Sequence, residues 1–324
     1  MNPIPAAAAL ALAFIPQVGG SQSSGPAADT EIIATGHDTA DRLTVQVKLG
    51  EHGPFPFMID TGSQNTVVSS SLTSRLALPT SSRSKVIGVA GEMSVDTVEI
   101  DEINLGKRSY YGITAPVLER RDIGAEGILG LDSLQDQRVL IDFRKNLMAV
   151  GDARSLGGDF GFEIVVTARR KFGQLIMTDA RVDGVLCDVV IDTGSDTTIG
   201  NRALQMAMTR RGRVTGEVTL HSVTGQELKA DMGGARKLEL QGATITSVAI
   251  AFSDSPTFAA LGLEKKPTLL LGMREMRAFP RVAIDFKTRK VLFALPKDGD
   301  PSYFAPPGSS EVPGFVPLPT QPGK

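Results

Sequence analysis

The sequence predicts an all-β protein built from two similar β-barrel lobes related by a pseudo-twofold axis. Two observations lead to this prediction. The pentapeptide Ile-Asp-Thr-Gly-Ser occurs at residues 59–63 and again at residues 191–195, each time after an apolar run. Around both copies, apolar and polar residues alternate with the period of half-buried strands. Two copies are too few for a solenoid, so the duplication indicates two lobes that face each other across an axis.

Alternating strands lead into each copy of the pentapeptide. In the first half, the strand LTVQVKL at residues 43–49 is followed by a turn at residues 50–54 and the strand FPFMI. In the second half, LIMTDARV alternates in the same way, and Asp183-Gly184 predicts a hairpin turn before VLCDVVI. Asp60 and Asp192 therefore lie at strand ends, where a scaffold holds a loop rigidly.

The same landmarks follow each copy in the same order. A short helix is predicted at residues 70–78 and at 201–208, and a glycine-containing hairpin tip at 87–92 and at 221–226. An apolar run with a glycine then occupies residues 127–134 and 269–276. Each half closes with an Asp-Phe pair in a predicted strand, at residues 139–150 and 282–293.

These landmarks divide the chain into two lobes and three connecting or terminal segments. We predict an N-terminal lobe at residues 29–152, a linker at 153–160 and a C-terminal lobe at 161–296. Residues 1–28 carry no charge and contain the apolar core AAAALALAFI, a pattern typical of a signal peptide. We therefore expect export, to the periplasm or outside the cell, with a cytoplasmic location as the alternative. Residues 297–324 are rich in proline and glycine, which predicts a disordered tail.

Composition excludes several classes of partner. The net charge of −2 is close to neutral, so neither nucleic acid nor an anionic membrane surface is expected as a partner. The apolar core before residue 29 is too short for a transmembrane helix, so we expect no stable membrane insertion. The single cysteine, Cys187, lies in an apolar run and is expected to be a small buried hydrophobe.

If the axis relates the two loops, Asp60 and Asp192 face each other. Two carboxylates at contact distance cannot both ionise easily, so they share a proton and titrate as a pair. One carboxylate can then take a proton from a water molecule, while the other donates a proton to a carbonyl oxygen. Such a pair hydrolyses an amide with neither a covalent intermediate nor a metal.

The neighbouring residues suit this chemistry. Gly62 and Gly194 allow the backbone to turn tightly beside each carboxylate. We expect the threonine hydroxyls to bond across the axis and the serine hydroxyls to reach the outer carboxylate oxygens; these residues are Thr61, Thr193, Ser63 and Ser195. The two hairpin tips are candidate flaps that close over a substrate, with Val89, Ala90, Gly91, Val223, Thr224 and Gly225 as the contacting residues.

These motifs resemble those of the aspartic proteases of the pepsin and retropepsin type. Asp-Thr-Gly-Ser at residues 60–63 and 192–195 is similar to the catalytic motif of that family. Ile128-Leu129-Gly130 and Leu270-Leu271-Gly272 are similar to its second signature, which packs behind each catalytic loop. The resemblance covers residues 42–296, and each half resembles a retropepsin subunit more than a pepsin lobe.

The resemblance implies a bacterial-style single-chain endopeptidase of two fused retropepsin-like lobes. It implies a cleft between the lobes that binds an extended peptide or protein substrate, and it implies no cofactor. Because one chain supplies both loops, we expect a monomer. The sequence departs from the pepsin pattern in having no tyrosine on either flap. The second signature continues as Leu131-Asp132 in one half and Met273-Arg274 in the other, which implies asymmetry between the lobes.

Other reaction types fit the residues less well. A Ser/His/Asp hydrolase needs a well-placed histidine, whereas His37, His52 and His221 all fall in predicted tails, turns or hairpin surfaces, and no Gly-x-Ser-x-Gly elbow is present. A zinc site needs more His and Cys at ligand spacing. A glycosidase would be expected to carry more aromatics than the 5% found.

The rival hypothesis is a catalytically weak or inactive peptide-binding module of the same fold, since fold alone does not give activity. Against it, an idle pair of facing acids costs stability without a structural benefit.

Overall fold

The computed structural model of the protein describes residues 43–106, 108–208 and 214–296, together with a few short strands outside these ranges. The short strands before residue 43 are β1 (Ala6–Ala7), β2 (Ala11–Phe14), β3 (Ile32–Ala34) and β4 (Gly36–His37). Apart from such strands, the predicted export segment at residues 1–28 and the predicted tail at 297–324 lie outside the described residues. No helix among the described residues has both the length and the apolar character needed to span a membrane.

Each lobe contains the same succession of strands and short helices. The elements of the first lobe are β5 (Leu43–Leu49), β6 (His52–Ile59), β7 (Val67–Ser69), α1 (Ser70–Leu76), β8 (Thr80–Gly88), β9 (Gly91–Leu105), β10 (Arg108–Leu118), α2 (Arg120–Ile123), β11 (Gly127–Leu129), α3 (Leu131–Leu134), β12 (Arg138–Asp142) and β13 (Leu147–Gly151). The elements of the second half are β14 (Ile164–Thr167), β15 (Arg169–Lys171), β16 (Gln174–Val182), β17 (Val185–Ile191), β18 (Ile199–Asn201), α4 (Arg202–Met208), β19 (Val214–His221), β20 (Glu227–Leu240), β21 (Ala243–Ser253), α5 (Pro256–Ala260), β22 (Thr268–Leu271), α6 (Met273–Met276), β23 (Arg281–Asp285), β24 (Lys290–Phe293) and the separate strand β25 (Phe315–Pro317).

Both lobes close into six-stranded barrels with equivalent strand orders. In the first lobe the order is β9-β10-β7-β11-β6-β5, and β5 returns to pair with β9. In the second lobe the order is β20-β16-β17-β22-β18-β21, and β21 returns to pair with β20. The prediction of an all-β protein with two related β-barrel lobes is therefore confirmed.

Alternation of side chains places the cores inside the barrels. In β5, Val45 and Val47 are fully buried, whereas Gln46 and Lys48 between them are exposed. In β11 and β22 every residue is buried. Leu129, Leu269 and Leu271 belong to the main core cluster, whereas Ile128 and Leu270, which point to the opposite face of their strands, belong to two separate buried clusters. Cys187 is 3% exposed, as predicted, and this burial raises the pKa of its thiol to about 12.

A third sheet joins the lobes. Its six strands follow the order β14-β24-β23-β12-β13-β3, so each lobe contributes three of them. Strands β12 and β23 meet in its middle as an antiparallel pair, with Leu140 opposite Ala283. The pseudo-twofold axis passes between these two residues.

The predicted closing strands at residues 139–150 and 282–293 are in fact hairpins, so that prediction was wrong. Asp142 ends β12, and its carboxylate accepts the backbone N–H groups of Arg144 and Lys145 at 3.1 and 3.0 Å. Asn146 then takes a left-handed conformation with φ 50°, which reverses the chain. In the second lobe, Arg289 with φ 57° has the same role in the turn after Asp285.

The first strand pair also turns more tightly than predicted. Gly50 adopts φ 55°, so two residues are enough to reverse the chain between β5 and β6. Strand β6 therefore begins at His52 and includes residues that we predicted as turn.

A buried ion pair connects β12 and β23 in the joining sheet. Arg138 is 2% exposed, and its Nε and Nη2 atoms donate to Asp285 Oδ2 at 3.1 and 2.9 Å. The same guanidinium donates to Asp159 Oδ1 at 2.7 Å and to the carbonyl of Gly158. Residues 152–163, which contain the predicted linker, carry no helix or strand. The Arg138 contacts therefore tie this connecting segment to both lobes.

We predict that Arg138→Ala lowers the free energy of unfolding by about 3–5 kcal/mol, because it leaves the Asp285 carboxylate buried without its ion-pair partner. Denaturant-induced unfolding measures this loss. The control is Arg83→Ala, which breaks an ion pair with Asp96 in which both side chains are well exposed; we expect little change there. Equal stability of the Arg138→Ala variant and the parent would contradict the assigned role of this ion pair.

Candidate active site

The two Asp-Thr-Gly loops begin at equivalent strand ends. Asp60 follows β6 and its N–H donates to the carbonyl of Leu129 at 3.1 Å; Asp192 follows β17 and its N–H donates to the carbonyl of Leu271 at 3.0 Å. Leu129 and Leu271 end the parallel neighbours β11 and β22. Each aspartate is therefore placed by the barrel backbone, and both are fully buried.

Two threonines join the loops across the axis, as the sequence predicts. The N–H of Thr61 donates to Thr193 Oγ1 at 3.0 Å, and the N–H of Thr193 donates to Thr61 Oγ1 at 3.2 Å. The hydroxyl of Thr61 donates to the carbonyl of Ile191 at 3.0 Å, and that of Thr193 to the carbonyl of Ile59 at 2.8 Å. Because these carbonyls belong to the residues just before the aspartates, the four bonds hold the two carboxylate-bearing segments side by side.

Loop amides orient each carboxylate. Gly62 and Ser63 donate backbone N–H groups to Asp60 Oδ1 at 2.7 and 3.1 Å. Gly194 donates its N–H to Asp192 Oδ1 at 3.0 Å. These charge-assisted bonds fix one oxygen of each carboxylate against its own loop.

The serine hydroxyls do not make the contact that we expected. Ser63 Oγ donates to the carbonyl of Asn65, and Ser195 Oγ donates to the carbonyl of Thr197, both at 2.8 Å. A serine hydroxyl readily reaches the backbone two residues on, so it closes the loop locally instead of turning to the carboxylate. Ser63 supports Asp60 through its amide.

The second signature packs behind each loop, as the resemblance implied. A Cβ atom added to Gly130 would lie 2.4 Å from the backbone carbonyl of Asn65, and one added to Gly272 would lie 2.7 Å from that of Thr197. Only glycine permits this approach. The backbone N–H of Gly130 donates to Thr66 Oγ1 at 3.2 Å, and that of Gly272 donates to Thr198 Oγ1 at 3.0 Å.

Behind these threonines the lobes differ. Thr66 donates its hydroxyl to Asp132 Oδ1 at 2.6 Å and its N–H to Asp132 Oδ2 at 2.8 Å. In the second lobe, the Thr198 hydroxyl donates to Glu275 Oε2 instead. Glu275 is fully buried, and this burial raises the pKa of its carboxyl to about 7. Comparison of the two halves of the sequence predicted an asymmetry between the lobes but missed Glu275. Asp132 is the second residue after Gly130, whereas Glu275 is the third residue after Gly272, and its longer side chain reaches Thr198.

The tips of the two predicted flaps cross to the opposite lobes. Val89, between β8 and β9 of the first lobe, is fully buried in a cluster that otherwise consists of second-lobe residues such as Val190 and Ile199. Val223, between β19 and β20 of the second lobe, is 1% exposed and packs among first-lobe residues such as Met58. Each tip therefore covers the other lobe, an exchange that local sequence patterns did not reveal.

The flap tips also contact each other. A Cβ atom on Gly88 would lie 2.1 Å from Ser222 Oγ, and one on Gly91 would lie 2.3 Å from Gln226 Oε1. The Thr224 hydroxyl donates to Ser222 Oγ at 2.8 Å and stiffens the second tip.

The remaining predicted flap residues lie on the same two tips. Ala90 is partly buried against the cluster that contains Val89. Gly225 turns with φ 73°, and a Cβ atom on it would lie 2.7 Å from the carboxylate of Asp122 in α2 of the first lobe. The structure thus brings all six predicted flap residues together and adds Ser222, Gln226 and Asp122.

Two comparisons with known proteins bear on this site. The sequence model of a family described as aspartyl protease matches residues 45–133 and 178–274. Each matched region contains one Asp-Thr-Gly loop and one apolar-apolar-Gly element, and together the regions cover more than half of the chain. A search of curated proteins found no match.

Glu275 predicts a pH dependence of stability. Its pKa of about 7 in the folded chain exceeds the ordinary value of 4.5, so the folded protein keeps a proton that the unfolded chain has lost. The resulting stabilisation is fully present below about pH 4.5 and is lost as the pH rises through 7. We expect the parent to lose up to about 3 kcal/mol over this range relative to Glu275→Gln, measured by denaturant unfolding at each pH. Glu217→Gln, at an exposed position, is the control, and parallel pH profiles for the parent and Glu275→Gln would contradict the prediction.

The close approach of Gly88 to Ser222 allows a test of the contact between the two flap tips. Gly88→Ala places a methyl group against Ser222 Oγ, so we expect amide hydrogen exchange in both tips to rise by about tenfold, measured by mass spectrometry. Gly216→Ala is the matched control, because a Cβ atom there meets nothing within 4 Å. The second change Ser222→Ala removes the clashing oxygen and should restore part of the protection. Unchanged exchange in Gly88→Ala would show that the tips are not apposed.

Proposed function

The chain belongs to the aspartyl protease family, and from this premise we propose that it is an aspartic endopeptidase. It cleaves internal peptide bonds with a water molecule activated between Asp60 and Asp192. The observation that supports the proposal is the set of reciprocal bonds between Thr61 and Thr193, which holds the two segments that carry the buried aspartates side by side.

The chemistry follows from two carboxyl groups in one water-excluded site. Two such groups share a proton, because ionising both would place like charges side by side at low dielectric. The ionised carboxylate accepts a proton from the attacking water while the protonated one donates to the carbonyl oxygen of the scissile bond. The amides of Gly62, Ser63 and Gly194 hold one oxygen of each carboxylate in place, so little reorganisation is needed during the reaction.

The flaps supply the cover that this chemistry needs. The two tips pack on opposite lobes and both aspartates are fully buried, so we propose that the tips separate to admit a substrate. We propose that an extended peptide binds between the flap hairpins and the two loops, where its backbone can pair with strand edges of the protein. The substrate class that we propose is therefore a peptide or an unfolded protein segment.

Two further proposals concern the state and location of the enzyme. One chain contributes both loops and both flaps, which supports a monomer. The uncharged segment at residues 1–28, with its short apolar core, supports export to the periplasm or beyond.

The test is cleavage of a peptide library from about pH 3 to 8 by the parent, Asp60→Asn and Asp192→Asn. We expect the parent to cut and each substitution to lower kcat by at least about a thousandfold, because both carboxyl groups take part in proton transfer. Asp196→Asn is the matched control; Asp196 lies four residues after Asp192 but is exposed, and we expect nearly full activity.

Each variant is checked for an unchanged unfolding midpoint before its activity is compared. Full activity in either Asp60→Asn or Asp192→Asn would overturn the paired mechanism. A folded parent that cuts no peptide would favour the alternative, a retropepsin-like module that binds peptides without cleaving them.

A further inference from the structure

A hairpin of the second lobe reaches over to the catalytic loop of the first. Its strands are β15 and β16, and Gly173 at its tip lies so close to Leu131 that an added Cβ atom would be 3.1 Å from Leu131 Cδ1. Arg170 in β15 donates to the side-chain carbonyl of Gln135 in the first lobe. Gln174, the first residue of β16, is thereby held beside the loop that carries Asp60.

Within the part of the protein that the structure describes, the side-chain amide of Gln174 uses its nitrogen but not its oxygen for hydrogen bonding. Gln174 is fully buried, and its Nε2 donates to the backbone carbonyl of Gly62. Its Oε1 atom is buried and has no hydrogen-bond partner among the residues that the structure describes. Buried acceptors in folded proteins are nearly always paired, so this oxygen requires an explanation.

The position of this oxygen suggests one. Gly62 is the residue whose own N–H donates to Asp60 Oδ1 at 2.7 Å, so the Gln174 amide contacts the same peptide segment that orients the catalytic carboxylate. A side-chain amide, like a backbone peptide group, combines N–H donors with a carbonyl acceptor. With its donor engaged by the loop, Gln174 presents an acceptor suited to an N–H group, and an extended peptide offers one at every residue.

We propose that Gln174 is a substrate-binding residue whose Oε1 accepts a main-chain N–H of the bound peptide next to the scissile bond. This proposal rests on the proposed function, because it takes the ligand to be a peptide lying across the two loops. Through this bond, a residue of the second lobe would bind the substrate beside the Asp60 loop of the first lobe. Because the bond is made to the peptide backbone, it does not depend on the side chains of the substrate.

The first experiment compares the kinetics of the parent and Gln174→Leu on the library peptide that the parent cleaves best. We expect KM to rise by about tenfold with a smaller change in kcat, because the lost bond holds the substrate and transfers no proton. Gln137→Leu is the matched control, since Gln137 also has a buried Oε1 without a hydrogen-bond partner among the described residues but lies just before β12. An unchanged KM in Gln174→Leu overturns the proposal.

A second experiment separates substrate binding from an effect on the loop. Analogues of the same peptide, each with one backbone N–H replaced by an ester oxygen, are titrated into Asp60→Asn and into Asp60→Asn/Gln174→Leu, so that no cleavage occurs. One ester should weaken binding to the first protein by about tenfold and have no such effect on the second. If every ester has the same effect on both proteins, Gln174 makes no bond to the substrate backbone and the proposal is overturned.

The two proposals fail in distinguishable ways. If the parent cleaves peptides but the ester series shows no coupling to Gln174, only the assignment of Gln174 is wrong. If the folded parent cleaves nothing, the proposed function fails, and the inference that depends on it fails with it.

Discussion

The hydrogen bonds between Thr61 and Thr193 are made by neither lobe alone, and the rest of the site depends on them. Each hydroxyl accepts an N–H from the opposite loop and donates to the carbonyl that precedes the opposite aspartate. Leaving these buried polar groups unpaired would cost about 1–3 kcal/mol for each group. Separation of the lobes is therefore opposed at the two loops that carry the aspartates. The ion pair of Arg138 with Asp285 acts in the same direction on the joining sheet.

The two lobes are similar in their backbone arrangement but differ in some of their buried polar side chains. Thr66 and Thr198 occupy equivalent places and both accept the N–H of a signature glycine. The acid that each threonine bonds differs: the Asp132 carboxylate accepts several N–H and O–H groups, whereas Glu275 has an oxygen with no hydrogen-bond partner among the described residues. Burial raises the pKa of both carboxyls. The second lobe thus carries a carboxyl group that is better tolerated in its neutral form, which favours the folded protein at mildly acidic pH.

Sequence reasoning succeeded where the information is local and repeated. The period-two alternation in segments such as residues 43–49 reports which face of a strand is buried, and the duplicated Asp-Thr-Gly motif reports that two equivalent loops exist. It failed at the closing strands, where one side chain, Asp142, organises a turn inside an otherwise continuous apolar pattern. It also predicted the wrong acceptor for the Ser63 hydroxyl, which donates to the carbonyl of Asn65 and not to the Asp60 carboxylate. The choice between these two acceptors depends on the geometry of the loop.

The contacts that the sequence could not predict are those between residues far apart in the chain. Val89 belongs to a first-lobe hairpin but is buried by the second lobe, and no pattern around it distinguishes this arrangement from packing on its own barrel. Gln174 likewise lies just before the predicted strand LIMTDARV, and only the fold places it beside Gly62. Burial of a polar amide against a catalytic loop is a tertiary property.

Exchange of the flap tips has a consequence for how the site opens. Because Val89 packs in the second lobe and Val223 in the first, neither tip can retreat onto its own barrel without exposing a valine that is now buried. Exposing each side chain costs about 1.5–3 kcal/mol. The tips also touch through Gly88 and Ser222, so movement of one disturbs the other. Separation of the two tips therefore requires both valines to lose these apolar contacts.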